Sequence, residues 1–203
     1  MTVRNVNAKI AVNDNVIKYR SIDLNVLGEA SENGTVPSAV QATCVATEYG
    51  NNAFHRTLLT CTALPLSIAD DAGVAQYGGV KVYTFPIGLI KPHAARVEGN
   101  LTLGVTGTII AAFTGVNALG SITASTGSSL TSTEATWLAS TANATASASV
   151  AAISSISAAT VTPYDGRSTA GAVFLNFAIA DDATHTAGTG TFTGTIVLSW
   201  SKL

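Results

Sequence analysis

The last fourteen residues constrain the fold more than any other segment of the chain. They read GTFTGTIVLSWSKL and alternate between apolar and hydroxyl-bearing side chains. One parity contains Phe192, Gly194, Ile196, Leu198 and Trp200, whereas Thr and Ser occupy the other from Thr191 to Ser201 except at Val197. A β-strand directs successive side chains to opposite faces, and β-branched and aromatic residues favour a pleated sheet. The segment therefore predicts a strand with one buried face and one hydroxyl-rich face.

Strand patterns of this kind recur along much of the chain. They cover residues 39–48, 54–68, 78–86, 97–109 and 173–179. Clusters of Gly, Asn, Asp and Pro separate many of them and indicate turns. Many short strands with frequent turns predict an all-β protein, either a β-sandwich or a jelly-roll-like domain.

At most one short helix is expected in this fold. Thr131 and Glu134 have the spacing of a capping box, in which the two side chains satisfy the first backbone N–H groups of a helix. The helix is therefore predicted to begin near Ser132.

The chain of 203 residues has room for one large domain preceded by a different segment. Residues 1–30 alternate weakly and predict an N-terminal strand or an extended arm, whereas residues 31–203 predict a single β-sandwich domain. The first residues lack the apolar core of a signal peptide, so export by that route is not expected. The most apolar stretch, residues 107–120, is shorter than the roughly 20 residues of a membrane-spanning helix. No membrane association is therefore predicted.

Charged residues are few in this chain. They make up 11% of the sequence, and the net charge is −2, whereas about 25% charged residues is typical. The ten Lys and Arg residues are scattered, so no basic stripe predicts binding to nucleic acid. A surface with so little charge is expected to be partly covered by neighbouring subunits or to be rich in hydroxyl groups.

The residues that usually carry chemistry form no recognisable constellation. His55, His93 and His185 lack a partner at metal-ligand spacing, and no Gly-x-Ser-x-Gly motif is present. Cys44 and Cys61 are predicted to be reduced core thiols, although adjacent strands would allow them to pair. The chain is therefore predicted to have no catalytic residues and no cofactor, and not to be an enzyme.

A short repeat allows a structural and a functional interpretation. The sequence IADDA occurs at residues 68–72 and 179–183, each time at the end of an apolar run. Short carboxylates bond to their own backbone in turns, so a strand-ending turn is the simpler interpretation. Calcium takes six to eight oxygen ligands, which is more than two aspartates supply. The repeat predicts turns, and no metal site is expected.

Three segments together resemble a known family. They are GGVKVYTFPIGLI at residues 78–90, VFLNFAI at residues 173–179 and GTIVLSWSKL at residues 194–203. With the Ser/Thr/Ala-rich centre, they resemble virion proteins of tailed bacteriophages, in particular capsid decoration (cement) proteins, over roughly residues 75–203. The resemblance implies a homotrimeric β-sandwich or jelly roll on the outer surface of the capsid. Its partners would be the major capsid protein and itself, and its role would be to reinforce the shell without catalysis.

Two surfaces are candidates for binding. Residues 1–30 hold four of the ten basic residues beside apolar positions, so Arg4, Lys9, Lys18 and Arg20 are predicted to contact the capsid. An ordinary first strand explains the same pattern. In an alternative function, a carbohydrate-binding tail-fibre or adhesin module, aromatic side chains would stack on sugars. The candidates for that role are Trp137, Trp200, Tyr77, Tyr83 and Tyr164.

Overall fold

A single curled antiparallel sheet contains all the named strands of the protein. The computed structural model describes residues 33–51, 54–70, 75–104, 115–125, 130–147, 150–158, 163–180 and 188–203. The strands in this part of the chain are β1 (Cys44–Asn51), β2 (Phe54–Asp70), β3 (Ala75–Thr84), β4 (Gly88–Gly104), β5 (Gly115–Gly120), β6 (Leu138–Ala142), β7 (Ala144–Ser147), β8 (Val150–Ala158), β9 (Tyr164–Gly166), β10 (Ala172–Ala180) and β11 (Gly188–Lys202). Two 3-10 turns, Ser38–Val40 and Ser132–Glu134, are the helical elements described.

The strand order explains the predicted alternation at the end of the chain. Along the sheet it is β6-β5-β10-β3-β2-β11-β4-β8-β7, with β1 paired to β2 and β9 paired to β4. The terminal strand β11 therefore lies in the middle of the sheet, between β2 and β4. The sheet curls so that β6 also contacts β8. The fold is all-β and sandwich-like, as predicted, and the finer jelly-roll assignment stays a prediction.

Most predicted strands are confirmed. The runs at 54–68, 78–86, 173–179 and 190–203 correspond to β2, β3, β10 and β11. The long run from residue 97 belongs to β4, which begins earlier than predicted, at Gly88. Residues 105–109 of that run lie outside the described residues.

The run at 39–48 begins as a turn. The N–H of Val40 donates to the carbonyl of Pro37, and the N–H of Thr43 donates to the carbonyl of Val40, both at 3.0 Å. These local bonds occupy backbone groups that a ladder would need, so β1 begins only at Cys44.

The predicted short helix near Ser132 is reduced to a 3-10 turn of three residues, Ser132–Glu134, and the chain is a strand again from Leu138. The N–H of Glu134 donates to the carbonyl of Thr131 at 3.0 Å. The N–H of Thr131 in turn donates to Oε2 of Glu134 at 3.4 Å, which is one half of the predicted capping box.

One main hydrophobic core joins the two sides of the curled sheet. Side chains from β2, β4 and β11 meet side chains from β3, β5 and β10 in a single buried cluster. Phe85 links its aromatic members: its ring stacks on Trp137 at 4.7 Å and contacts the edges of Tyr83 and Trp200. Cys44 and Cys61 belong to the same cluster and are free thiols, as predicted.

A bulge bends β2 where it passes β11. The register shifts between Phe192 and Gly194, so Thr62 and Ala63 lie opposite the single residue Thr193. Ala63 has a φ of 50°, and its N–H donates to Oγ1 of Thr193 at 3.0 Å. Bulges increase the local twist of a strand, which helps a long sheet to curl.

The IADDA repeat coincides with strand ends. β2 ends at Asp70 and β10 ends at Ala180. Asp71, Asp181 and Asp182 lie outside the described residues.

Candidate interaction surface

The solvent-facing side of β1, β2, β11 and β4 is an open sheet face, and we call it the outer face. Antiparallel partners lie on the same side of a sheet, so the register defines its rows. Its members are Val45, Thr60, Thr195 and Glu98 in one row, Thr47, Leu58, Val197 and Arg96 in the next, and Tyr49, Arg56 and Ser199 in the third, with Phe54 beside them. The intervening residues of β1 and β2, such as Cys44 and Leu59, point into the core.

Large apolar side chains are exposed on this face. Val45 is 62% exposed, Tyr49 43% and Phe54 48%. Leu58 and Val197, in the middle row, are half-buried. Exposed apolar groups that lie close together, rather than singly, commonly mark interaction sites.

The apolar side chains Val45, Tyr49, Phe54, Leu58 and Val197 form what we call the apolar strip. Polar groups surround it. Threonine hydroxyls occupy the row of Val45, and Arg96 forms an exposed ion pair with Glu98. An exposed pair of this kind contributes little to stability. The outer face therefore combines apolar anchors with a mildly polar rim, as binding surfaces of proteins often do.

β1 is an edge strand within the described part of the chain, where it pairs with β2 alone. Edge strands expose backbone groups and are usually protected by charged residues, proline or bulges. The outward side chains Val45, Thr47 and Tyr49 provide no charge. This edge of the sheet is therefore suited to contact with another protein surface.

A polar cluster under the outer face fixes β1 to the core. The hydroxyl of Tyr83 donates to Oε1 of Glu48, and the hydroxyl of Thr57 donates to Oε2 of Glu48 at 2.9 Å. The indole N–H of Trp200 donates to Oγ1 of Thr57 at 2.9 Å, and the imidazole of His55 stacks on the indole at 3.9 Å. The cluster thus connects β1, β2, β3 and β11 through side chains.

Burial shifts the ionisation of this cluster. Desolvation raises the pKa of the Glu48 carboxyl, and the hydrogen bonds from Tyr83 and Thr57 oppose part of that rise. Desolvation, together with the nearby Glu48 charge, also raises the pKa of Tyr83, which stays protonated. Tyr83 is completely buried, so no solute reaches its hydroxyl in this structure.

The predicted capsid contacts cannot be placed on this surface. Arg4, Lys9, Lys18 and Arg20 all lie outside the described residues.

The three histidines lie in different surroundings. His55 is buried against Trp200, a ring nitrogen of His93 is hydrogen-bonded to Ser201 at 2.7 Å, and His185 lies outside the described residues. Nowhere in the described ranges do three His, Cys, Asp or Glu side chains come together to hold a metal ion.

The aromatic residues assigned to sugar stacking are mostly internal. Trp137, Trp200 and Tyr83 are buried in the core, whereas Tyr77 and Tyr164 are half-buried. The exposed aromatic residues Tyr49 and Phe54 were not predicted as site residues. A signal for the outer face exists in β1, because apolar side chains occur there on both parities, Cys44 and Ala46 on one and Val45 and Tyr49 on the other.

Comparisons with known proteins add no relative: no protein-family model, curated protein or solved structure matched the chain. In the part of the chain that the structure describes, no helix is both long and apolar enough to cross a membrane.

Proposed function

We propose that this chain is a non-enzymatic structural protein of tailed-bacteriophage virions, which decorates the outer surface of the capsid and stabilises the shell. The observation that carries the proposal is the outer face, where Val45, Tyr49 and Phe54 are exposed together on a sheet face. The resemblance, which covers roughly residues 75–203 and not Val45, Tyr49 or Phe54, supports the major capsid protein as the partner of the whole chain.

The fold suits a mechanical role at that surface. The outer face is backed by the main core and by the cluster around Glu48, so its side chains are presented on a fixed framework. A preorganised surface loses little conformational entropy on binding. Several such faces in a homotrimer would bind neighbouring capsomers together, because linked weak contacts act at high effective concentration.

The N-terminal segment is the second part of the proposed contact. Arg4, Lys9, Lys18 and Arg20 would extend the binding surface beyond the outer face, and their charges would favour association with an acidic capsid surface.

Cosedimentation with undecorated, expanded phage heads tests the proposal. The wild-type protein is expected to bind saturably, with the mass of a trimer by light scattering. The double variant Val45→Lys/Tyr49→Lys places two charges on the apolar strip and is expected to weaken binding by at least about tenfold. Lysine is well tolerated on edge strands, so the variant should fold.

The matched control is Ile87→Lys/Ile122→Lys. These side chains are 54% and 44% exposed and lie outside the outer face, so this variant should bind as the wild type does. Equal binding by both double variants would overturn the outer-face assignment. Removal of residues 1–20 distinguishes binding by the N-terminal segment from binding by the outer face. A folded oligomer that no longer attaches to the heads would make the N-terminal segment the main contact. Absence of wild-type binding would overturn the proposed function.

A carbohydrate-binding module is the second candidate. The exposed aromatic rings of Tyr49 and Phe54 on adjacent strands favour it, because both offer an apolar ring face and the hydroxyl of Tyr49 suits a surface that is partly wet. A glycan-array signal that is lost in Tyr49→Ser would support this function over capsid binding.

A further inference from the structure

Cys44 and Cys61 face each other across β1 and β2. They are direct register partners. In the adjacent pair the N–H of Thr62 donates to the carbonyl of Thr43 at 2.7 Å, so the two cysteines occupy a non-hydrogen-bonded position of the ladder. At such positions the Cα atoms lie about 4.5 Å apart. That separation falls within the range of roughly 4.4–6.8 Å that a disulfide spans.

The two sulfur atoms are already close. Their Sγ atoms are 2.9 Å apart, and the residues are 1% and 2% exposed. A disulfide bond is about 2.0 Å long, so its formation requires a relative movement of only about 1 Å. A hydrogen bond joins the two thiols, and either sulfur can be its donor.

We propose that Cys44 and Cys61 form an oxidation site, at which a small-molecule disulfide converts the two thiols into an intrachain disulfide that fastens β1 to β2. The thiolate of one cysteine attacks one sulfur of the reagent, and the other half of the reagent leaves as a thiolate. The second cysteine then loses its proton and attacks the sulfur of the first cysteine, which displaces the remaining half of the reagent. The two cysteines lose two protons and two electrons, and the reagent disulfide gains them as two thiols.

The position of β1 determines how the reagent reaches the two thiols and what the disulfide does to the sheet. The thiols are buried, so the reagent reaches them only when β1, which has one pairing neighbour in the described part of the chain, separates locally from β2. Once the bond has formed, β1 can no longer separate from β2. The bond also closes the chain between Cys44 and Cys61, and it restricts the unfolded state.

Oxidation of the full-length protein with oxidised glutathione under native conditions tests the site. The expected product is a single chain that has lost two hydrogen atoms, has no thiol that reacts with iodoacetamide after denaturation, and gives a peptide map with Cys44 linked to Cys61. Its melting temperature should rise by about 5 °C or more. Dithiothreitol should reverse both the mass change and the shift.

The variants Cys44→Ser and Cys61→Ser are the controls, and neither should gain stability under the same treatment. The peptide map of the wild type decides the question even when a variant fails to fold. A glutathione adduct that persists on one cysteine, two thiols that remain after prolonged treatment, or a bond between two chains would each overturn the proposal.

Discussion

Glu48 shows how a single inward-facing residue connects the edge of the sheet to the core. Its carboxylate accepts hydrogen bonds from Tyr83 and Thr57, whose side chains come from two other strands. The Tyr83 hydroxyl also accepts the N–H of Gly34 at 2.9 Å, so the segment before β1 is held by the same group. A buried carboxyl is favoured in its neutral form, because burial removes the water that stabilises its charge.

We expect Glu48 to make the stability of the protein fall as pH rises. Its pKa in the folded state lies above the unfolded value of 4.5. The unfolded chain therefore loses this proton first, and the free energy of unfolding decreases from about pH 4.5 until the folded pKa has been passed. Glu48→Gln lacks this titration. Urea denaturation between about pH 4 and pH 8 should show that the stability of the variant, minus that of the wild type, increases with pH. Parallel stability curves would contradict the assignment.

The facing glycines Gly99 and Gly194 illustrate what a sequence pattern leaves open. Alternation placed Gly194 on the apolar parity of the last strand, and it does lie there as the register partner of Gly99. A glycine is required at this position because the two backbones approach closely. A Cβ on Gly194 would lie 2.6 Å from the Cα of Gly99 and 2.8 Å from Cζ of Phe192. Gly99 also has a φ of 154°. Such contacts depend on register, which alternation within one strand does not determine.

At the scale of elements, β10 holds the segment that links β5 to β6. Asn176 on β10 is completely buried. Its Oδ1 accepts the N–H of Ala124 at 3.0 Å, and its Nδ2 donates to the carbonyls of Ile122 and Glu134, both at 2.8 Å. The Glu134 side chain accepts the N–H of Ser125 at 2.7 Å. Two buried polar side chains thus anchor the described parts of this segment to β10 and to each other.

Removal of the Asn176 amide should loosen this segment selectively. Asn176→Ala leaves three backbone groups without their partner, two of them buried, and we expect a loss of roughly 2–4 kcal/mol in the free energy of unfolding. Limited proteolysis under native conditions should cut the variant faster near residues 121–137. Thr133→Ala, which changes an exposed side chain in the same segment, is the control and should behave as the wild type. Cleavage elsewhere at the same enhanced rate would argue against a local role for Asn176.

Sequence periodicity predicts elements whose two faces differ, and it predicts others poorly. β2 and β11 alternate between core and exterior, whereas β10 is buried on both faces from Leu175 to Ala178, and the positions of all three were predicted within a few residues. The start of β1 was missed, because the hydrogen bonds of the turn at Ser38–Val40 compete with the ladder. The candidate surface was missed for a related reason. Whether Val45 or Cys44 faces the core depends on which side of β1 meets β3 and β11, and that is decided by contacts distant in sequence.

At the scale of the molecule, the strand order makes the last strand depend on strands from the first half of the chain for its backbone hydrogen bonds. β11 is the last strand, yet it pairs with β2 on one side and β4 on the other. Trp200 near its end packs against Phe85, which also stacks on Trp137. Within the described residues, buried side chains from both sides of the curled sheet belong to one main cluster, and a second cluster around Ala118 and Ala178 is small.

This arrangement predicts that the domain unfolds as one cooperative unit. Trp137 and Trp200 report on opposite parts of the sheet, and both belong to the same buried cluster. In urea, far-UV circular dichroism and tryptophan fluorescence of the variants Trp137→Phe and Trp200→Phe should each have a single transition, and within one variant the two signals should share a midpoint. In a homotrimer that dissociates on unfolding, the midpoint should also rise with protein concentration. Separate midpoints for the two signals would show that part of the sheet folds independently of the terminal strand.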